Sequence, residues 1–220
     1  MNFCCLFSIL RLQLTQGDIM KTTNFRLPKT KVGDITFKKI IRTGKRLFAK
    51  HGFQATSIND IIEKSKVAAG TFYLYFDNKL ALYMYLLEEY KKEIRETSAM
   101  AAVGYLTRYE IERAGLKSFI KYAKRDPLAY KLIWESMSVD PAIFKQYYQS
   151  FSKSYVYHLM EYVDLGQVRS DVDLETASFV LMGIANFVGL QVVFKEDITE
   201  EQIDWIVDEC MKIVKGGLLT

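Results

Sequence analysis

The chain has 220 residues, of which half are hydrophobic and only 12 are Gly and 3 are Pro. So few turn-forming residues argue against a β-sandwich, a barrel or a doubly wound sheet, and they favour an all-α fold. The net charge of +4 conceals an asymmetry, because residues 20–80 carry 13 Lys and Arg against 4 Asp and Glu, whereas residues 81–220 carry 16 against 21. A basic block joined to a mildly acidic body indicates that one of the two parts meets a polyanion.

Residues 1–33 are predicted to be a leader followed by a basic arm. Residues 1–19 contain a short apolar run with its charge placed after it, and Met20 offers an alternative start, so we interpret them as a start-site artefact or an unstructured arm. Residues 21–33 are polar and basic and contain Pro28 and Gly33, which predicts a mobile segment.

A first helix is predicted to begin near Asp34 and to end at Gly52, which is a plausible residue for its C-terminal cap. Apolar and small residues recur at spacings of three and four along one face of this helix: Ile40, Ile41, Gly44, Leu47 and Phe48. Lys and Arg occupy the rest of its surface. The pattern is typical of a helix that packs on a core and presents positive charge outward.

Two much shorter helices are predicted to follow. The first of them begins at Ser57, which forms an S-x-x-D capping box with Asp60, and the second covers residues 68–75. Helices of about two turns are not stable alone, so both are expected to pack on the first helix. This arrangement is a helix-turn-helix, with its motif at residues 57–76.

A long helix is predicted from Asn78 to about Ala99, and further helical patterns bring the expected total to about nine helices. These later patterns lie near 105–125, 127–138, 141–165, 173–194 and 199–216, separated by Gly104, Pro127, Pro141 and Gly166. The sequence therefore predicts a three-helix basic head, a connecting helix and a helical body.

The head carries a dense pattern of spaced residues: a Leu-Phe pair, a Gly and an aromatic, Thr-Ser, then Gly-Thr-aromatic-Tyr, an aromatic-Phe pair and a final Lys. It is met by Leu47, Phe48, Gly52, Phe53, Thr56, Ser57, Gly70, Thr71, Phe72, Tyr73, Tyr75, Phe76 and Lys79. This pattern strongly resembles the DNA-binding head of the TetR family of transcriptional repressors, over residues 34–94. The resemblance implies a DNA-binding domain at 34–94 and a ligand-binding and dimerisation domain at 95–220.

The expected DNA contacts combine this resemblance with groove geometry. Small side chains let a recognition helix lie deep in the major groove, and hydroxyl and ammonium groups reach base edges or phosphates. The expected set is Thr56, Lys66, Ala68, Ala69, Gly70, Thr71, Tyr73, Tyr75 and Lys79. Three positions depart from the family pattern: Lys66 stands where Gly is common, Ala68 where Ser is frequent, and Leu80 where Glu is usual.

The body suggests a small-molecule site and a dimer interface. An aromatic and Met-rich set is expected to line a pocket for an apolar or amphipathic effector: Trp134, Met137, Phe144, Tyr147, Phe151 and Tyr155. Residues 173–194, apolar nearly all round, and residues 199–216 are expected to pair with the same helices of a second copy. Such a homodimer would place two recognition helices roughly 34 Å apart on a palindromic site.

No enzymatic or metal chemistry is indicated. The three Cys form no metal-binding pair, and His51 and His158 have no arrangement typical of a catalytic triad. The longest apolar run, residues 179–194, is shorter than the roughly 20 residues that span a bilayer, so no membrane segment is expected. Lipidation of Cys4 or Cys5 remains a remote alternative.

We therefore expect a cytoplasmic, homodimeric, non-enzymatic protein without cofactor or metal that represses transcription from a palindromic operator in double-stranded DNA and is released by an apolar or amphipathic ligand. Two alternatives stay open at this point. One is a TetR-like activator, and the other is a helical carrier or binder of an apolar small molecule.

Overall fold

The computed structural model describes residues 25–195 and 197–219. Within these ranges the chain forms nine α-helices and no strand, apart from two isolated antiparallel bridges. The helices are α1 Lys31–His51, α2 Ile58–Ser65, α3 Ala69–Tyr75, α4 Lys79–Ala101, α5 Arg108–Arg125, α6 Pro127–Val139, α7 Pro141–Asp164, α8 Leu174–Val193 and α9 Glu200–Gly217. The expectation of an all-α chain with about nine helices is confirmed.

Helix α1 begins three residues earlier than the expected start near Asp34. The reason is Thr30, whose hydroxyl accepts a hydrogen bond from the N–H of Gly33 at 3.0 Å and so caps the helix. Asp34 then lies in the first turn, where its charge complements the helix dipole. The predicted end is confirmed, because Gly52 has a φ of 84° and donates its N–H to Phe48.

The predicted capping box of α2 is present. The Ser57 hydroxyl accepts from the N–H of Asp60 at 3.1 Å, and the Asp60 carboxylate accepts from the N–H of Ser57 at 2.9 Å. The Ser57 hydroxyl also donates to the Asp60 carboxylate at 2.6 Å, and this bond, with the one from the Ser57 N–H, holds the pKa of Asp60 below its ordinary value. Helix α2 packs against both α1 and α3, which confirms the helix-turn-helix arrangement.

The described residues fall into two compact units. The first runs to Lys91 and also takes in Leu128–Gln146, which includes nearly all of α6; the second consists of Lys92–Pro127 and the chain from Tyr147 onward. The predicted head at 34–94 thus lies largely within a unit that contains an additional helix from later in the sequence. That added helix becomes important for the geometry of the head.

The core of the first unit is aromatic. Phe37 stacks on Phe76 with ring centroids 5.3 Å apart, and Phe48 lies edge-on to the fully buried Tyr83 at 5.5 Å. The Tyr83 hydroxyl donates to the carbonyl of Leu132 in α6 at 2.6 Å. Because that hydrogen bond is buried, it joins α6 firmly to α4 within this unit.

The second unit is built on α5, which packs against α8 and α9. Its buried core includes residues from all three helices and from α7: Ile120, Leu159, Leu181, Val192, Ile203 and Val207. Gly189 lets α8 approach α5 closely, since a Cβ there would lie 3.1 Å from the Phe119 ring. One face of α8 is therefore committed to the core.

Candidate DNA-binding surface

Helix α3 has two faces of opposite character. Phe72 and Tyr75, together with the following Phe76, are buried in the head. The other face is exposed and carries small side chains at its start, Ala68, Ala69 and Gly70. A Cβ added at Gly70 would meet no atom within 4 Å, so the backbone here is open to a close neighbour.

Two side chains on α3 can add hydrogen bonds at this open face. Thr71 is half-buried, and its side chain combines a hydroxyl with a methyl group. Tyr73 is 49% exposed, with its ring edge-on against Phe72 at 5.5 Å. The buried contact fixes the ring while half of the side chain remains accessible, which suits a reach toward a groove wall.

Lys66 ends α2 in the left-handed region, with a φ of 56°. It is the one described residue other than Gly with a positive φ, at the position where the family pattern commonly has Gly. The Lys66 side chain is exposed. The lysine therefore occupies a backbone conformation that costs an L-residue about 1 kcal/mol, and it places a positive charge at the helix-turn-helix turn.

The predicted phosphate contact by Tyr75 needs correction. Tyr75 is 6% exposed, its ring is edge-on to Phe37 at 5.2 Å, and its hydroxyl donates to the carbonyl of Gly33 at 3.3 Å. It shares a helical face with Phe72 and Phe76, at spacings of three and one. Its side chain thus supports the head and is not presented on the surface with Tyr73.

The side chains of Thr56 and Lys79 are also engaged within the protein. Thr56 is buried, and its hydroxyl donates to the carbonyl of Gly52 at 2.8 Å. The Lys79 ammonium donates to the carbonyls of Phe53 at 2.6 Å and Thr56 at 2.8 Å, and lies 4.3 Å from the centroid of the Phe53 ring. Desolvation by burial lowers the pKa of Lys79.

These contacts have a common physical cause. The carbonyls of the turn between α1 and α2 have no helical partners, and a buried acceptor without a donor is costly. Lys79 supplies the donor. Both side chains therefore help to shape the turn, and the predictions that they contact phosphate stay predictions.

Two residues that the sequence did not single out hold the same turn from α6. A carboxylate oxygen of Glu135 accepts from the N–H of Phe53 at 2.6 Å, and the Lys131 ammonium donates to the carbonyl of Ala49. The Glu135 oxygen also lies 3.0 Å from where a Cβ would stand on Gly52. Gly52 is thus required both by its φ and by this close approach.

Comparison with known proteins identifies the head. A sequence profile of the family described as "Bacterial regulatory proteins, tetR family" matches residues 40–86, which include α2, α3 and most of α1. Residues 40–86 therefore resemble the tetR family of bacterial regulatory proteins.

The chain spans less than a fifth of the length of two curated relatives that it matches. The uncharacterized HTH-type transcriptional regulator YuxN of Bacillus subtilis (strain 168) is 42% identical over 53 residues, which is 24% of this chain and 18% of the relative. The likeness therefore supports a shared domain and leaves the activity of the whole protein to be argued separately.

Solved structures resemble the chain over most of its length. A putative TetR-family transcriptional regulator from Syntrophomonas wolfei has a TM-score of 0.72 and 23% identity, covering 84% of this chain and 97% of that one. The fatty acid degradation regulator FadR from Bacillus halodurans has a TM-score of 0.72 and 19% identity, covering 87% and 98%. At such identities the likeness shows the TetR fold alone.

The six residues predicted to line an effector pocket fall into two groups. Trp134 and Phe144 lie in the first unit with ring centroids 6.2 Å apart, and Met137 there is exposed. The other three, Tyr147, Phe151 and Tyr155, lie in the second unit. A cavity of about 350 Å³ in the second unit is lined by different residues: Thr107, Tyr109, Gln167, Lys215 and Leu219.

Tyr155 takes part in a buried polar cluster that the sequence did not reveal. Arg108 and Glu112 form an ion pair on α5 with 2.9 Å between the Arg108 Nε and the carboxylate, and both are buried. The Tyr155 hydroxyl donates to the same carboxylate at 3.3 Å, and burial raises the pKa of Tyr155 above its ordinary value. In sequence, an Arg and a Glu four residues apart read as a solvated pair.

No described group suggests a metal centre. Within residues 25–195 and 197–219, no three or more His, Cys, Asp or Glu side chains are arranged to hold an ion.

The helices expected to form the dimer interface expose large apolar side chains. On α8 these include Val180 and Phe187, the latter 65% exposed, and on α9 they are Trp205 at 64% and Ile213 at 73%. A Cβ added to Gly183 would meet nothing within 4 Å, so this part of α8 is also open. Four apolar residues within the range 199–216 are buried in the core of the unit: Ile203, Ile206, Val207 and Val214.

Among the described helices, α8 is the one long and apolar enough to cross a membrane by length and composition, with a mean hydropathy of 1.7. The expectation that residues 179–194 are too short rested on the apolar run, whereas the helix itself begins earlier, at Leu174. An apolar core helix meets the same criteria, and 33% of this one is already buried, so the finding is weak evidence for a membrane span.

Proposed function

We propose that this chain is a DNA-binding regulator of transcription that works in the cytoplasm as a homodimer on a palindromic operator. The observation that carries the proposal is the division of α3 into a buried aromatic face and an exposed face of small residues. A helix of this kind is held by the head on one side and can enter the major groove with the other.

The chemistry of the exposed face supports base reading. The backbone can approach the groove closely because the side chains of Ala68, Ala69 and Gly70 are small. Thr71 offers both a hydroxyl and a methyl group for base edges, and the Tyr73 side chain is exposed. The neighbouring Lys66 adds a charge for phosphate.

Dimerisation is supported by the outward faces of α8 and α9. Large apolar side chains stay exposed on both helices, including Phe187, Trp205 and Ile213, and such exposure favours a partner that covers them. A second copy would cover them with the same surfaces, and a twofold pair of α3 helices matches palindromic half-sites about 34 Å apart.

Repression with release by an apolar or amphipathic ligand is the mode of regulation that we propose. Aromatic residues within the second unit, such as Tyr147 and Phe151 with ring centroids 5.2 Å apart, are suitable lining for such a ligand. A structural neighbour is named as a regulator of fatty acid degradation. Release requires that the ligand favour a conformation of the dimer other than the one that binds operator.

The function is tested by incubating the purified protein with genomic fragments, sequencing those retained and footprinting the consensus. Tyr73→Ala is expected to weaken operator binding by about tenfold or more, since one good contact is worth about 1–3 kcal/mol. The matched control is Tyr157→Ala, an equally exposed tyrosine on α7. Equal affinity for the two variants, or no palindromic fragment retained by the wild type, would refute the proposal.

The mode of regulation needs a second assay. Transcription from the recovered operator in vitro should fall when the protein is added and recover when an amphipathic compound releases it. A rise on adding the protein would identify an activator instead.

A further inference from the structure

The segment before α1 is docked on the head, which differs from the mobile arm expected for residues 21–33. Phe25 forms an antiparallel bridge with Phe76, and its ring lies edge-on to Tyr85 at 5.1 Å. The N–H of Arg26 donates to the carbonyl of Tyr75 at 2.8 Å. Its guanidinium also donates to the Asp77 carboxylate at 2.9 Å. We call residues 25–30 the strap.

The strap ends beside the last turn of α3. The Tyr75 hydroxyl donates to the carbonyl of Gly33 in the first turn of α1, and a Cβ on Gly33 would lie 2.9 Å from that hydroxyl oxygen. The start of α1 is therefore held against the same end of the recognition helix as Arg26. Lys29 and Lys31, which flank the capping residue Thr30, are fixed in this region and are exposed.

The local charge favours an anion. Two carboxylates of the segments that join here are already paired, Asp77 with Arg26 at 2.9 Å and Asp34 with Lys38 at 2.7 Å. Lys29 and Lys31 form no ion pair with any residue in the described ranges. The strap and the first turn of α1 thus carry two positive charges that the described part of the protein leaves uncompensated.

We propose that Lys29 and Lys31 contact DNA phosphates beside the groove that α3 enters. Phosphates line both edges of the major groove, so a cationic segment tied to one end of a recognition helix faces one of these edges. The contact adds affinity without reading sequence. This inference rests on the proposed function, and both lysines lie outside residues 40–86, which the TetR-family profile matches.

The test measures binding of full-length protein to the recovered operator and to an unrelated duplex of equal length over a series of KCl concentrations. The variant is Lys29→Gln with Lys31→Gln. The control is Lys145→Gln with Lys153→Gln, which removes the same charge from two exposed lysines of α7. Each lost phosphate contact reduces the slope of log K against log salt by about 0.9, so the strap variant should lose about 3.6 per dimer.

Affinity for both duplexes should fall by the same factor in the strap variant, because phosphate contacts carry no sequence information. A slope equal to that of the control, with the wild type still protecting its operator, would overturn the strap contact and leave the proposed function intact. A change confined to the operator would also overturn it, by showing base readout. If the wild type binds neither duplex, both proposals fail together.

Discussion

Replacing Lys79 by Met separates a structural role from a phosphate contact at one position. In the structure the ammonium makes two short hydrogen bonds, of 2.6 and 2.8 Å, to the carbonyls of the turn. Hydrogen bonds to a charged group contribute about 1.5–3 kcal/mol each, and water can partly replace them at this half-buried site, so we expect a loss of about 2–3 kcal/mol. Met keeps an unbranched apolar side chain but removes the ammonium, so the loss covers both hydrogen bonds and the contact of the ammonium with the Phe53 ring, whose centroid lies 4.3 Å away.

The assay is urea unfolding at neutral pH, followed by DNA binding against salt. With a slope of about 2–3 kcal/mol per molar urea, the midpoint should fall by about 1 M. The control Lys39→Met removes an exposed lysine from α1 and should change stability by less than about 0.5 kcal/mol. An unchanged midpoint for Lys79→Met, with a salt slope reduced by about 0.9 per protomer, would refute the structural role and restore the phosphate contact.

Two further predictions concern packing and pH. Gly44→Ala should destabilise by about 1–3 kcal/mol, because the new Cβ would lie 2.6 Å from a methyl of Leu82, whereas Gly115→Ala, with nothing within 4 Å, should be neutral or stabilising. Thermal unfolding compares the two, and equal midpoints would contradict the close approach of α1 and α4. Stability should also decline as the pH falls below about 4. Helix-capping hydrogen bonds lower the pKa of three carboxyl groups in the folded state, so these groups stabilise the fold at pH values above their pKa in the unfolded chain. That stabilisation is lost as the carboxyl groups become protonated. These carboxyls are Asp60, Glu110 and Asp173. Urea midpoints at pH 7 and pH 3 test this, and equal values would contradict it.

Local signals predicted the elements of the head well. Ser57 and Asp60 stand at the spacing of a capping box, and the box is present because its hydrogen bonds need only four consecutive residues. Gly52 ends α1 for a reason equally local, its positive φ. The start of α1 at Lys31 was not predicted because Gly33 was interpreted as a helix breaker. Its N–H is in fact bonded to the Thr30 hydroxyl, which caps the helix.

The burial of Tyr75 was within reach of the sequence. One helical face is formed by the spacing of Phe72, Tyr75 and Phe76. Tyr73 is rotated about 100° around the helix axis from Phe72 and therefore lies off that face. The prediction that Tyr73 and Tyr75 both contact DNA did not take this helical period into account.

The side chains that hold the turn could not be inferred in the same way. Glu135 lies 82 residues from Phe53, and nothing local to either position indicates that they meet. Lys79 stands at a position that the family pattern marks, but the pattern does not say whether its ammonium faces DNA or the protein. Long-range hydrogen bonds are decided by how helices pack, which requires the tertiary structure.

The last helix shows that a range predicted to form a dimer interface can also contain residues that its own chain buries. In α9 the regular apolar stripe that includes Ile203, Val207 and Val214 faces the core of the second unit. Trp205 stands outside that stripe, and Ile213 lies at its edge, seven residues after the buried Ile206; both are exposed. A regular stripe on a helix indicates the face that its own chain buries first, because that burial accompanies folding. Large apolar side chains that stay exposed after this burial, such as Trp205 and Ile213, are therefore the better guide to a partner, and they agree with the proposed homodimer.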